Sequence, residues 1–187
     1  MKQLYLLLTV SIWLSMIIGA GMLLYPRLKS FALSTLVVML TVVLGFFFVE
    51  HFVGLGDLSA LMPVGLVLAL GVIYLRRHDW AAAQDEIQAF VACFFWALAW
   101  RIKIPNLDGG TEKLMNLDLL ASYREGVMLP PNDMWLAGHP LNMYYGLQHY
   151  AGALMGRIMH FSIGVNYQFA FATVIGARKG FARSAFE

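Results

Sequence analysis

The chain has 187 residues, of which 60% are hydrophobic and 13% charged, and its mean hydropathy is +0.68. So few polar groups cannot cover the surface of a soluble domain, which excludes the soluble classes and leaves an integral membrane protein. The net charge of +2 comes from scattered residues rather than a basic stripe, so no nucleic-acid partner is expected, and the single Cys93, inside an apolar run, excludes an internal disulfide and reads as core filler.

Charge-free runs of about 18 residues or more are long enough to cross roughly 30 Å of hydrocarbon as helices. The first is Leu4 to Tyr25, closed by Pro26; the second is Phe31 to Val49, after the turn PRLKS. The third is Leu58 to Leu75, stopped by Arg76 and Arg77. The fourth, Ile87 to Trp100, is short by itself, and the helix-forming AAAQDE before it extends it. Residues 1–100 therefore read as a four-helix transmembrane region. The first run exceeds the roughly 7–15 apolar residues of a signal peptide and lacks a small-residue cleavage site, so it reads as a retained helix.

Arg27 and Lys29 follow the first span, and Arg76 and Arg77 follow the third, whereas EHFVGLGD after the second has acids and no Lys or Arg. The excess of cations puts loops one and three in the cytoplasm. The protein is then expected to be multi-pass in the cytoplasmic (inner) membrane, with segment 101–142 extracytoplasmic.

That segment holds five of the eleven acids and many breakers, among them Pro105, Gly109, Gly110, Pro130, Pro131, Gly138 and Pro140. Its leucines, Tyr123 and Trp135 want burial, so it is expected to be a structured loop rather than a disordered one. Within it Thr111 to Glu125 reads as a short interfacial helix, with Leu114, Leu117, Leu120 and Ala121 on one face. Met143 to Gly164 is a fifth span, in which Gly152 and Gly156 are spaced for close packing, although chance accounts for such a pair in a Gly-rich chain. Arg157 inside it points to an ion pair or a polar cavity, with snorkelling toward the headgroups an equal alternative. Val165 to Ala177 is too short to cross, and residues 143–187 read as a fifth helix and an incomplete sixth. The fold class is all-α: a polytopic membrane helix bundle of about five to six helices with one structured loop.

The run GGTEKLMNLDLLASYREGVMLPPNDMWLAGHPLNMYYG resembles the signature of the YYY family of polytopic membrane proteins. Gly110, Thr111, Glu112, Lys113 and Met115 match its first block; Pro130, Pro131, Asp133, Trp135, Leu136, Ala137 and Gly138 its second; Asn142, Tyr144, Tyr145 and Gly146 its third. Asn116, Met134 and Met143 depart from the pattern, where the family has Asp, Pro and Tyr. That family is similar to the GT-C glycosyltransferases, which take sugars from polyprenyl-phosphate carriers and use an acid in their first large extracytoplasmic loop as a base. The resemblance implies an N-terminal part of such a protein.

Inverting sugar transfer needs a carboxylate to take the acceptor's proton and cationic help for the leaving phosphate. Asp108, Glu112 and Asp133 are the candidate catalytic carboxylates; Lys113 and His139 are candidates for the phosphate; Trp135, Tyr144 and Tyr145 for stacking on sugar; and Asn142 completes the substrate-binding set. Each has a plainer alternative. Asp108 before two glycines suits a turn, Glu112 and Lys113 suit a helix start, and the aromatics suit an interfacial belt. His139, His149 and His160 lack metal-ligand spacing, and no phosphate-cradling loop is present, so no metal and no cofactor is implied.

Two functions stay open. The first is a truncated member serving as an accessory or structural subunit among other membrane subunits. The second is a glycosyltransferase, or its N-terminal half, inactive alone.

Overall fold

The computed structural model describes residues 2–103, 111–133, 136, 138–141 and 146–184, with backbone alone at 2–4, 111–113 and 178–184. Its helices are α1 (Lys2–Leu28), α2 (Phe31–Glu50), α3 (Leu61–Leu75), α4 (Trp80–Lys103), α5 (Thr111–Arg124), α6 (Gly146–Met159) and α7 (Ile163–Ser184), with one 3-10 turn at Arg77–Asp79. No strand longer than one isolated bridge, Asn132 with Pro140, occurs among the described residues. The all-α membrane-helix class expected from composition is therefore the class observed.

Two described helices are by themselves long and apolar enough to cross a membrane, Tyr5–Leu28 and Phe31–Glu50. Two further pairs qualify only as broken spans: Leu61–Leu75 with Arg77–Lys103, bent by 63°, and Gly146–Met159 with Ile163–Ala177, bent by 117°. The second bend interrupts the run read from sequence as Met143 to Gly164. α6 ends at His160, whose φ of 52° lies in the left-handed region, and Phe161 N donates to Gly156 O at 2.9 Å across the turn. This is a Schellman closure, with histidine where glycine is usual. α1 closes in the related way, with Lys29 at φ 54° and its N–H on Tyr25 O at 2.8 Å.

The described contacts fall into two compact units: Met1–Leu40 with Leu61–Trp100 and Phe171–Glu187, and Thr41–Ala60 with Arg101–Ala170. In the first unit α1 lies on α3 at very short range. A Cβ at Gly19 would stand 2.5 Å from Ala69 Cβ and 2.6 Å from its Cα, and one at Gly65 would stand 2.7 Å from Met16 Cε. Lipid tails supply no hydrophobic drive for two helices to associate, so contact this close has to come from small residues. Glu86 of α4 caps α2: its Oε2 accepts from Ser30 Oγ at 3.2 Å and from Ala32 N at 3.1 Å, a carboxylate against the positive helix end. Trp13 reaches from α1 to α7, its Nε1 donating to Thr173 Oγ1 at 2.9 Å. Thr9, Ser11, Ser15, Ser34 and Thr35 turn their hydroxyls back onto carbonyls four residues earlier, so few polar atoms face lipid.

Gly19→Ala is expected to destabilise the detergent-solubilised protein by about 1–3 kcal/mol, because a backbone has to move. Gly71→Ala, with nothing within 4 Å of the added carbon, is expected to be neutral or to gain about 0.5–1 kcal/mol. Thermal unfolding of the two variants side by side checks the pair.

The second unit is built around α6. His149, Tyr150, Gly152, Ala153, Leu154, Met155, Gly156, Arg157 and Met159 are all buried, which covers every face of the helix. Leu120 of α5 packs where a Gly152 side chain would be, and the Asn166 amide of α7 where a Gly156 side chain would be. The two glycines set aside as chance in the sequence are therefore where two neighbours touch α6. In α5 the buried residues are Leu119, Leu120, Ser122 and Tyr123, with Leu117 and Ala121 half-buried and Leu114 52% exposed, so the inward face is rotated from the one expected. His149 is bonded through Nε2 to Asn116 Oδ1 at 2.9 Å. Arg101 at the end of α4 donates from Nε to Gln168 Oε1 at 2.6 Å and stacks over Tyr167.

Candidate functional site

The segment after α5 has little regular structure, and its shape comes from a few hydrogen bonds and prolines. Asp133 N donates to His139 O at 2.9 Å and Leu141 N to Pro131 O at 2.8 Å, drawing residues 131–133 and 139–141 side by side. Asp133 Oδ1 accepts from Leu136 N at 3.2 Å, which orients the carboxylate. Pro130, joined to Leu129 by a cis peptide, and Pro131 fix the path on the approach.

Between this loop and the end of α5 lies an open cavity of about 520 Å³. Among the described residues its polar wall is Ser122, Glu125, Asn132 and Asp133, and its remaining lining includes Val127, Met128, Pro130 and Pro131. Two carboxylates, an amide and a hydroxyl on a proline-stiffened rim can accept and donate to several hydroxyls at once. A smaller cavity of about 160 Å³ shares Pro130 and is lined by Phe47, His51, Tyr123, Leu129, Leu141 and Gly146. Its aromatic wall continues into Tyr150, edge-on to Phe47 at 5.0 Å and to Tyr123 at 5.8 Å. Burial pushes the Tyr123 phenol up from its ordinary value, so it stays neutral and acts here as a ring.

Of the residues singled out in the sequence, Asp133 lies in the larger cavity. His139 is exposed and contributes its backbone to the loop. Glu112 and Lys113 fall in the first turn of α5, with side chains outside the described residues, and Asp108, Trp135, Asn142, Tyr144 and Tyr145 also lie outside them. The structure adds Glu125, which sequence reading passed over as the last residue of a helix. Its only sequence signal is its place eight residues before Asp133 on a chain folded back by two prolines.

The same unit holds a buried ion pair. Arg157 Nη2 donates to Glu50 Oε1 at 2.6 Å, with side chains only 2% and 0% exposed, and Arg157 Nε donates to Gly56 O at 2.8 Å. Of the two readings left open for Arg157, the ion pair is the one observed. Tyr150 is fully buried, and its hydroxyl has no hydrogen-bond partner among the described residues. Glu50 Oε2 and Arg157 Nη1 are buried with no hydrogen-bond partner among the described residues.

On the nearby turn Asp57 is held below the usual carboxylate range, first by the Ser59 N–H at 2.9 Å, then by the Ser59 hydroxyl at 2.8 Å, and then by the charges of His160 and Arg157. A depressed carboxyl favours the fold above its ordinary pKa and loses that contribution as pH falls through the lowered value. Ser59→Ala keeps the backbone bond and removes the hydroxyl, so Asp57 is expected to titrate higher, toward the ordinary range. Carboxyl-detected NMR of the two proteins checks this.

A family model described as uncharacterized membrane protein (DUF2298) matches residues 33–182. No curated protein and no solved structure matches the chain.

Proposed function

The chain belongs to the DUF2298 family of membrane proteins, and from that premise we propose that it is the sugar-handling membrane part of a GT-C-like glycosyltransferase. The donor in this reading is a polyprenyl-phosphate-linked sugar. The observation that supports it best is the cavity in which Glu125 and Asp133 stand with Asn132 and Ser122. Hydroxyl-rich rings are recognised by such a set of acceptors and donors, and a carboxylate held at a fixed angle suits a general base.

In the proposed step the acceptor hydroxyl attacks the anomeric carbon while Asp133 takes its proton. The carbon–oxygen bond to the carrier breaks, and the lipid phosphate leaves with the bonding electrons. Glu125 binds sugar hydroxyls, and Lys113 or His139 neutralises the phosphate. Asp108 and Glu112 are the alternative bases. The loop carrying them faces the extracytoplasmic side of the inner membrane in this proposal, in line with the placement of Arg27, Lys29, Arg76 and Arg77.

Binding of a short-chain polyprenyl-phosphate sugar to the protein in nanodiscs tests the reading. The wild type is expected to bind, and Glu125→Gln to bind more weakly. A wild type that binds no donor, and that runs at fixed stoichiometry with an unrelated larger complex on a native gel, would replace this reading with that of an accessory subunit.

A further inference from the structure

The buried Glu50–Arg157 pair lies far from the solvent-open cavity in sequence, yet it is tied to one wall of that cavity at two points. Gly56 N donates to Gly126 O at 2.9 Å, and Leu129 N donates to Glu50 O at 2.8 Å. These bonds fall on either side of Val127 and Met128, two residues of the cavity lining. Arg157 closes the circuit, because the residues it grips are Glu50, through the carboxylate, and Gly56, through the carbonyl. Packing between the two anchor points is backbone on backbone: a Cβ at Gly54 would stand 3.0 Å from both Gly126 O and Met128 N. Gly126 has φ +65°, and a Cβ there would stand 2.5 Å from Arg157 Nη2 and from Gly56 O.

We infer that the Glu50–Arg157 pair is a latch that fixes residues 126–129 as a wall of the cavity holding Glu125 and Asp133, which makes Arg157 a positioning residue. A guanidinium suits this place because its planar fork donates along two directions, one to each anchor, and a lysine ammonium does not. Leaving either charge unpaired in a dry interior is costly, so the latch has one strongly preferred setting. The inference concerns the shape of the wall, and it rests on the proposed function only for what the cavity holds.

The test uses the full chain in detergent with Cys93→Ser, and compares maleimide labelling of Leu129→Cys, whose side chain is 6% exposed, with that of Ala83→Cys, a buried control in the other unit. Arg157→Lys, and separately Gly126→Ala, which leaves both charges in place but drives a methyl between the Arg157 fork and Gly56, are expected to raise labelling at 129 about tenfold and to leave 83 unchanged. Equal labelling at 129 with and without the substitutions overturns the latch, and so does a parallel rise at both sites, since the pair would then support the fold in general. Amide exchange of the unsubstituted protein gives a second readout that needs no variant: Gly56 and Leu129 are expected to exchange slowly and together. Exchange at those two amides as fast as at Val127 and Met128 overturns the inference. Neither readout contains sugar, so failure here is distinct from a wild type that binds no donor.

Discussion

Replacing Arg157 by methionine is expected to cost the protein about 3–5 kcal/mol, because it strands the Glu50 carboxylate in a site with no access to water. Glu50→Met is expected to cost a similar amount by stranding the guanidinium. The double substitution is expected to recover much of either loss, since an apolar pair of similar volume replaces two desolvated charges. It should still fall short of the wild type by about 1–3 kcal/mol, because Gly56 O loses its donor whichever residue replaces Arg157. Denaturant unfolding of the three variants in one detergent checks the cycle. Additive losses in the double variant would mean that the two side chains act separately, against the 2.6 Å contact between them.

Under the proposed function, Asp133→Asn is expected to lower sugar transfer by about 10²–10⁴-fold in native membranes while leaving donor affinity within about tenfold, because an amide keeps the shape and hydrogen bonding of the side chain but takes no proton. The loop itself is expected to survive the change, since Asn Oδ1 can still accept from Leu136 N as Asp133 does. Glu125→Gln should show the opposite split, with weaker donor binding and a smaller effect on the transfer step. Equal losses in binding and rate for both variants would remove the distinction between base and binding residue. If Asp108→Asn instead abolished transfer with Asp133→Asn unaffected, the base would lie in the stretch before α5.

Much of the helical framework could be read from hydropathy alone. α1 and α2 coincide with the first two charge-free runs to within a few residues, and α4 begins at Trp80, as the AAAQDE extension suggested. α5 also matches in extent, because Thr111 marks its start, although its buried face is rotated from the one the leucine spacing gives. The break in α6 was hidden, since a histidine at positive φ carries none of the glycine signal by which a helix end is normally recognised. The pairing of Glu50 with Arg157 was hidden for a different reason. In sequence Glu50 is one acid in a turn and Arg157 one cation in an apolar run, and no local rule connects residues 107 apart. Asp133, which lines the larger cavity, stood out in the sequence because a short motif frames it. Glu125 did not, because its place in that lining depends on where two prolines send the chain.

α6 has one more consequence, and it concerns the lipid around the protein. Fourteen residues of helix rise about 21 Å, well short of the roughly 30 Å of a typical hydrocarbon layer. Where α6 ends, the chain turns by 117° instead of running on. Because α6 is covered on every face, it is at the exposed His160 and Ser162 of that corner that a bilayer would thin locally or bring headgroups inward, at a cost of fractions of a kcal/mol for each ångström of mismatch. Shorter acyl chains reduce that cost, so membrane thickness itself bears on how comfortably this protein is held.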